Sequence, residues 1–143
     1  MSFDLKITNG DLVIKNGDLQ KVIDSEKLIQ DILKICLTTA GSNPLNPGYG
    51  SFISRTIIGN PLHTTVLVHI AKSQLTTALQ NLQALQTLQI QSFQRVSADE
   101  QLAAISDISV IQNTTDPRLF TVTIQVITKG LKPITTAFRV STI

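Results

Sequence analysis

The chain has 143 residues, 42% of them hydrophobic and 15% formally charged, with a net charge of +2. That length is expected to form one domain, residues 1–143, with its own core; the charge content falls below the roughly 25% of ordinary soluble domains, so Thr, Ser, Gln and Asn must supply much of the polar surface. Scattered Lys and Arg with little net charge exclude electrostatic capture of nucleic acid or of an anionic membrane.

Phe3, Leu5 and Ile7 alternate at the period of a half-buried strand. Asn9-Gly10 then offers the positive φ angles of a tight hairpin turn. A second short strand from Leu12 to Lys15 ends at Asn16-Gly17, and a third run follows from Leu19 to Ile23, so a three-strand meander is expected. Repeated Asn-Gly-Asp-Leu could also suggest calcium. Only two such units occur, however, at a spacing other than the nonapeptide of calcium-binding β-helices, and no glutamate stands where an EF-type loop needs its bidentate ligand. They read as turns.

Ser25 is a candidate cap for a helix from about Glu26 to Thr39, with Leu28, Ile29, Ile32, Leu33, Cys36 and Leu37 on one apolar face and Gly41 as its stop. The single cysteine, Cys36, cannot form an internal disulfide and reads as a small core residue in a reducing, cytosolic setting. Residues 41–51, GSNPLNPGYGS, are too rich in breakers for a regular element, and Tyr49 between two glycines favours an anchored turn.

Asn60 before Pro61 predicts the start of a long helix reaching about Gln94. Val68, Ala71, Leu75, Ala78, Leu82 and Leu85 keep a heptad seam, and Leu67, Leu79 and Leu88 widen the apolar face. Lys72 is the one charged residue in this span, which predicts a helix covered on more than one side. Ser97 and Glu100 have capping-box spacing. Ile108 and Val110 begin a first C-terminal strand, Phe120, Val122, Ile124 and Val126 alternate through a second, and Ile134, Phe138 and Val140 mark a third. The fold class is therefore α+β: a short N-terminal meander, two main helices, one of them long, and one small antiparallel sheet.

Chemistry-bearing motifs are absent. His63 and His69, six apart, lie on different helix faces and cannot make the i, i+4 pair of a zinc helix. The two glutamates, Glu26 and Glu100, each stand near a helix start, where a carboxylate serves the dipole. With no nucleophile elbow, phosphate loop or dinucleotide fingerprint, neither an enzyme nor a cofactor is expected. No apolar run approaches the roughly 20 residues of a membrane span. What stands out is interaction potential: a charge-poor helix, and a terminal strand with only Arg139 charged after Lys132, whose edge would accept another strand unless it is an internal one.

In the order DLVIKNGDLQKV, a Lys-Leu-Ile-Gln-Asp helix, LTTAGSNPLNPGYGSFI, a Pro-led long helix and a terminal β region, the chain resembles the baseplate wedge and sheath-initiator proteins of contractile-tailed bacteriophages. This baseplate-protein-W-like family includes a component of type VI secretion baseplates. The motif residues are Leu37, Thr38, Gly41, Pro47, Tyr49 and Gly50, with Glu100 as the counterpart of a Glu-Pro-Arg motif whose proline and arginine are missing here. Ser42-Asn43 likewise replaces the Glu-Arg that many members carry after the first helix.

The resemblance implies a virion tail baseplate part, assembled in the host cytoplasm in six-fold array. Its partners would be the tail sheath protein, other wedge proteins and, further in, the tube or hub. Sheath subunits would add strands at Phe120, Val122, Ile124, Val126, Phe138, Arg139 and Val140. Two alternatives stand beside it: a tail-associated peptidoglycan hydrolase, since some members bear a lysozyme label, and the equivalent part of a secretion or injection machine.

Overall fold

The computed structural model describes residues 2–57 and 63–141. Its N-terminal segment contains six two-residue strands: β1 (Asp4–Leu5), β2 (Ile7–Thr8), β3 (Asp11–Leu12), β4 (Ile14–Lys15), β5 (Asp18–Leu19) and β6 (Lys21–Val22). Asn9-Gly10 and Asn16-Gly17 turn with φ near 53° and 80° at their two positions, the left-handed values that a two-residue hairpin needs. The hairpins β2/β3 and β4/β5 follow, as expected of a meander. The first and last strands then pair as well, β1 with β6, so the meander closes into a ring.

Closure happens because each extended segment bends at its middle residue. Val13 N–H donates to Lys6 C=O, Gln20 N–H to Val13 C=O and Lys6 N–H to Gln20 C=O, at 3.0, 2.9 and 2.8 Å. The three middle residues are seven apart, and Asp4-Leu5, Asp11-Leu12 and Asp18-Leu19 occupy equivalent places. The repeat is thus threefold, where the Asn-Gly-Asp-Leu motif shows only two copies.

Helix α1 (Asp24–Leu37) starts one residue before the expected cap. Ser25 lies inside its first turn; Asp24 takes a φ of 50°, and its carboxylate accepts a hydrogen bond from Ser97 Oγ at 2.7 Å. The helix ends at Leu37 because Thr38 turns to extended backbone, its N–H and Oγ both donating to Lys34 C=O, and Gly41 lies beyond the stop. A short helix the sequence reading lacks, α2 (Ile53–Ile57), follows the loop. The expected start at Asn60-Pro61 lies outside the described residues. Among these, α3 (Thr64–Gln91) begins after His63, whose Nδ1 accepts from Thr65 N–H.

A single 3-10 turn, Ala98–Glu100, leads into three antiparallel strands, β7 (Leu102–Gln112), β8 (Leu119–Thr128) and β9 (Pro133–Ser141), in the order β7-β8-β9. β7 thus begins at Leu102, ahead of the expected Ile108. α3 lies against β7, while α1 and α2 lie against β9, so the helices share one face of the sheet. The core joins Leu28, Ile32 and Ile35 of α1 and Ala71, Leu75, Ala78 and Leu79 of α3 to Phe120, Val122, Ile124 and Val126 of β8. Each of the Leu, Ile, Val and Phe side chains among them contributes about 1.5–3 kcal/mol of burial. The buried face of the long helix meets β7, α1 and α2, whereas beyond Gln86 it is exposed, with Leu88 and Ile90 in solvent.

Two buried glutamines join helices to extended backbone. From α1, Gln30 donates to Leu5 C=O (2.8 Å) and accepts from Ile7 N–H (3.0 Å). From α3, Gln86 donates to Glu100 C=O and accepts from Leu102 N–H, both at 2.8 Å. Replacing Gln86 by Leu would strand a buried carbonyl and a buried amide and should lower unfolding free energy by at least about 2 kcal/mol. Gln83→Leu, which loses bonds to the carbonyls of Leu102 and Ala103 alone, should cost less; equal denaturation midpoints for the two variants would contradict this account.

Candidate functional site

A three-stranded sheet has two edges, and here they differ. β7 pairs with β8 through two register irregularities, between Leu102 and Ala104 and between Ile105 and Asp107. Its first residues are also engaged from the helix layer, Gln83 and Gln86 taking up the backbone of residues 100–103. Bulges and occupied backbone groups make an edge a poor template. β9 pairs with β8 in unbroken register from Leu119↔Ser141 to Ile127↔Pro133.

The direction of each β9 backbone group follows from its hairpin. Thr128 N–H donates to Lys132 C=O at 3.0 Å, so these two residues form a hydrogen-bonded pair. In an antiparallel ladder such pairs alternate with non-bonded ones. Ile134, Thr136, Phe138 and Val140 therefore direct their backbone groups at β8, whereas Thr135, Ala137 and Arg139 direct theirs outward. Pro133, which has no N–H, falls on the outward parity, where a strand tolerates it. The outward side chains Thr135, Ala137 and Arg139 are also exposed.

The seven residues expected to receive sheath strands are thus placed differently. Phe120, Val122, Ile124 and Val126 lie on β8, the central strand, paired on both sides and buried at 2% exposure or less, so that strand cannot accept a further one. Phe138 is half-buried and Val140 buried, both with backbone turned inward; Arg139 alone of the seven lies on the open edge. Thr135 and Ala137 belong to that edge and were missed. The signal for them was Pro133, whose place fixes which parity has no ladder bond to lose.

The motif residues Leu37, Thr38, Gly41, Pro47, Tyr49 and Gly50 build the loop after α1. Ser51 N–H donates to Thr38 C=O (2.8 Å), Ala40 N–H to Ser51 C=O (3.0 Å), and Gly41 N–H to Pro47 C=O (3.1 Å), tying both ends of the loop together. Tyr49 packs half-buried against the core, and burial pushes its hydroxyl pKa up. The turn is anchored, as a tyrosine between glycines suggests. Leu37 points to solvent, 57% exposed. Cys36 is buried, which pushes its thiol up to about 12 and leaves it protonated.

Glu100 has no exposed surface. Its Oε1 accepts from Ser97 N–H at 3.0 Å, the glutamate arm of the expected capping box, and from Ser2 Oγ at 2.6 Å. Oε2 has no partner among the described residues. Glu26 lies on the exposed side of the first turn of α1. The described residues contain no group of three His, Cys, Asp or Glu side chains arranged to hold a metal, and no described helix is long and apolar enough to cross a membrane.

No family model matches the chain, and no curated protein does. Among solved structures the chain is similar to a candidate tail lysozyme from Geobacter sulfurreducens, with a TM-score of 0.58 over 81% of this chain and 88% of that one at 11% identity. At that identity the likeness concerns the fold.

Gly50 gives a direct test of the loop. It holds a φ of 116°, and a Cβ there would stand 2.6 Å from Thr38 O. Gly50→Ala should destabilise the protein by about 1–3 kcal/mol from backbone strain alone. An unchanged denaturation midpoint would mean that the backbone bonds of Ser51 to Thr38 and Ala40 do not hold the loop.

Proposed function

We propose that the chain is a structural part of a contractile phage tail, a baseplate wedge protein that starts sheath assembly by accepting a strand at the β9 edge. The observation that carries this reading is the asymmetry of the two edges: β7 is bulged and partly engaged, whereas β9 is regular and turns three consecutive outward backbone positions, Thr135, Ala137 and Arg139, to solvent. An added strand gains main-chain hydrogen bonds there, with specificity left to alternate side chains. The fold likeness to a candidate tail lysozyme and the motif resemblance both support it.

In this reading the partners are the sheath protein, other wedge proteins and the tube or hub, in six-fold array, and the chain is a virion component assembled in the host cytoplasm. It uses no cofactor and is not an enzyme. The equivalent part of a secretion or injection machine would use the same edge, and neighbouring genes distinguish the two settings.

Ala137→Pro removes an outward N–H while leaving the β8–β9 ladder intact. Tails carrying it should show tube and baseplate but few or no sheaths in electron micrographs, with the circular dichroism of the purified protein unchanged. Sheaths at normal frequency would refute the reading. Val140→Pro is the contrasting variant: it breaks the internal ladder and should destabilise the sheet itself.

The name of the structural neighbour favours a second reading, peptidoglycan hydrolysis. A glycosidase of the common kind needs two carboxylates facing one substrate cleft, and Glu100 is fully buried. Purified protein should leave cell-wall suspensions turbid. Clearing that disappears in Glu26→Gln would favour the hydrolase.

A further inference from the structure

The two side-chain rows of β9 each leave one contact unmade, at adjacent residues. On the helix side Ile134, Thr136 and Val140 are buried, and Phe138 alone stays partly exposed although it packs against the core. Val122 of β8 flanks it on one side, and on the other no strand stands among the described residues. On the open side Pro133, Thr135, Ala137, Arg139 and Ser141 are all exposed, and Arg139 is the one charge in that row. β8 adds Leu119, Thr121, Thr123, Gln125 and Ile127 to the same face, none of them charged. The guanidinium of Arg139 forms no ion pair with a described carboxylate.

A strand added at this edge meets both residues at once. Arg139 turns its backbone outward, so in an antiparallel addition it makes a hydrogen-bonded pair with the incoming residue. Phe138 then makes the non-bonded pair beside it, where Cα atoms stand closer, at about 4.5 Å against 5.5 Å. Facing side chains share one side of the sheet. One incoming side chain therefore lies beside the guanidinium on the open face, and that of its chain neighbour lies against Phe138 on the helix side. A parallel strand alternates between the same two faces.

Charge then decides between strands. Opposite charges on facing residues stabilise a ladder, and like charges directly opposite destabilise it. A lone arginine on an edge discourages pairing with strands at large, and it favours the one strand that carries its complement.

We propose that the strand taken up at β9 carries a carboxylate residue facing Arg139 and, next to it in sequence, a large apolar residue that covers Phe138. This rests on the reading of β9 as an acceptor edge, and it adds the chemistry of the strand accepted there.

Arg139→Glu reverses the charge and leaves the β8–β9 ladder alone, so the circular dichroism of the purified protein should not change. Tails carrying it are expected to show at least about fivefold fewer sheaths in electron micrographs, because a like-charge contact replaces an opposite one. Arg139→Lys should keep sheaths near the unaltered number. Second-site revertants of Arg139→Glu should exchange an Asp or Glu for Lys, Arg or a neutral residue in another tail protein, directly beside a large apolar residue.

Sheaths at normal frequency on Arg139→Glu tails overturn the proposal. If Ala137→Pro removes sheaths in the same assay, the acceptor edge itself stands; if Ala137→Pro tails are sheathed as well, the edge reading falls with it. Revertants confined to this chain, or an exchanged acid without a large apolar neighbour, also overturn the proposal. Should Arg139→Glu fail to fold, Arg139→Gln takes its place: fewer sheaths than with Arg139→Lys are expected, and equal numbers overturn the proposal.

Discussion

The structure depends on one device used twice, a buried helical glutamine that stands in for a missing strand. Gln30 and Gln86 each bond to the C=O of one residue and the N–H of the residue two further on, at positions 5 and 7 and at positions 100 and 102. Those are the groups that a neighbouring strand would satisfy, and in both places no strand stands there among the described residues. An extended segment buried against a helix would otherwise carry unpaired polar groups, at a cost of about 1–3 kcal/mol each. A neutral amide matches a C=O and an N–H together, which an ammonium or a carboxylate cannot. This is one physical reason for a chain rich in Gln and poor in charge.

The two clasps divide the work. Gln30, with the Asp4–Lys34 ion pair, holds the N-terminal ring on α1; Gln86 holds the start of β7 on α3, where Glu100 is also buried. Because Gln86 and Gln83 take up the beginning of β7, that edge is partly engaged within the chain itself. Among the described residues no side chain takes up the outward backbone groups of Thr135, Ala137 and Arg139 in that way. The difference between the two edges is therefore a consequence of which helix carries the reaching glutamines.

The ring shows how a short repeat can close without a hydrophobic core of its own. Each seven-residue unit spends two residues on one neighbour, one on the central cycle of backbone bonds, two on the other neighbour and two on a turn. At the third corner the chain enters α1 instead of turning. Isolated two-residue ladders are marginal in water, and the cycle makes three of them mutually supporting while α1 supplies the fixed surface beneath.

Local chemistry was legible in the sequence. The Asn-Gly turns, the alternation of β8 and β9, the apolar faces of α1 and α3 and the Ser97–Glu100 box are each set by residues within a few positions of one another, and they carried the α+β class. Ring closure was written there too, in Asp4-Leu5 as a third copy of Asp11-Leu12, but the absence of a third Asn-Gly hid it. Strand order was not legible. The same alternation in Phe120–Val126 and in Ile134–Val140 describes a central strand and an edge strand alike, because alternation reports one buried face and says nothing of what lies beside the backbone. Which strand is doubly paired, which edge Gln83 and Gln86 reach, and that Arg139 stands on the open one were decided by tertiary structure. Those are relations between groups distant along the chain, fixed only when helices and sheet share a core.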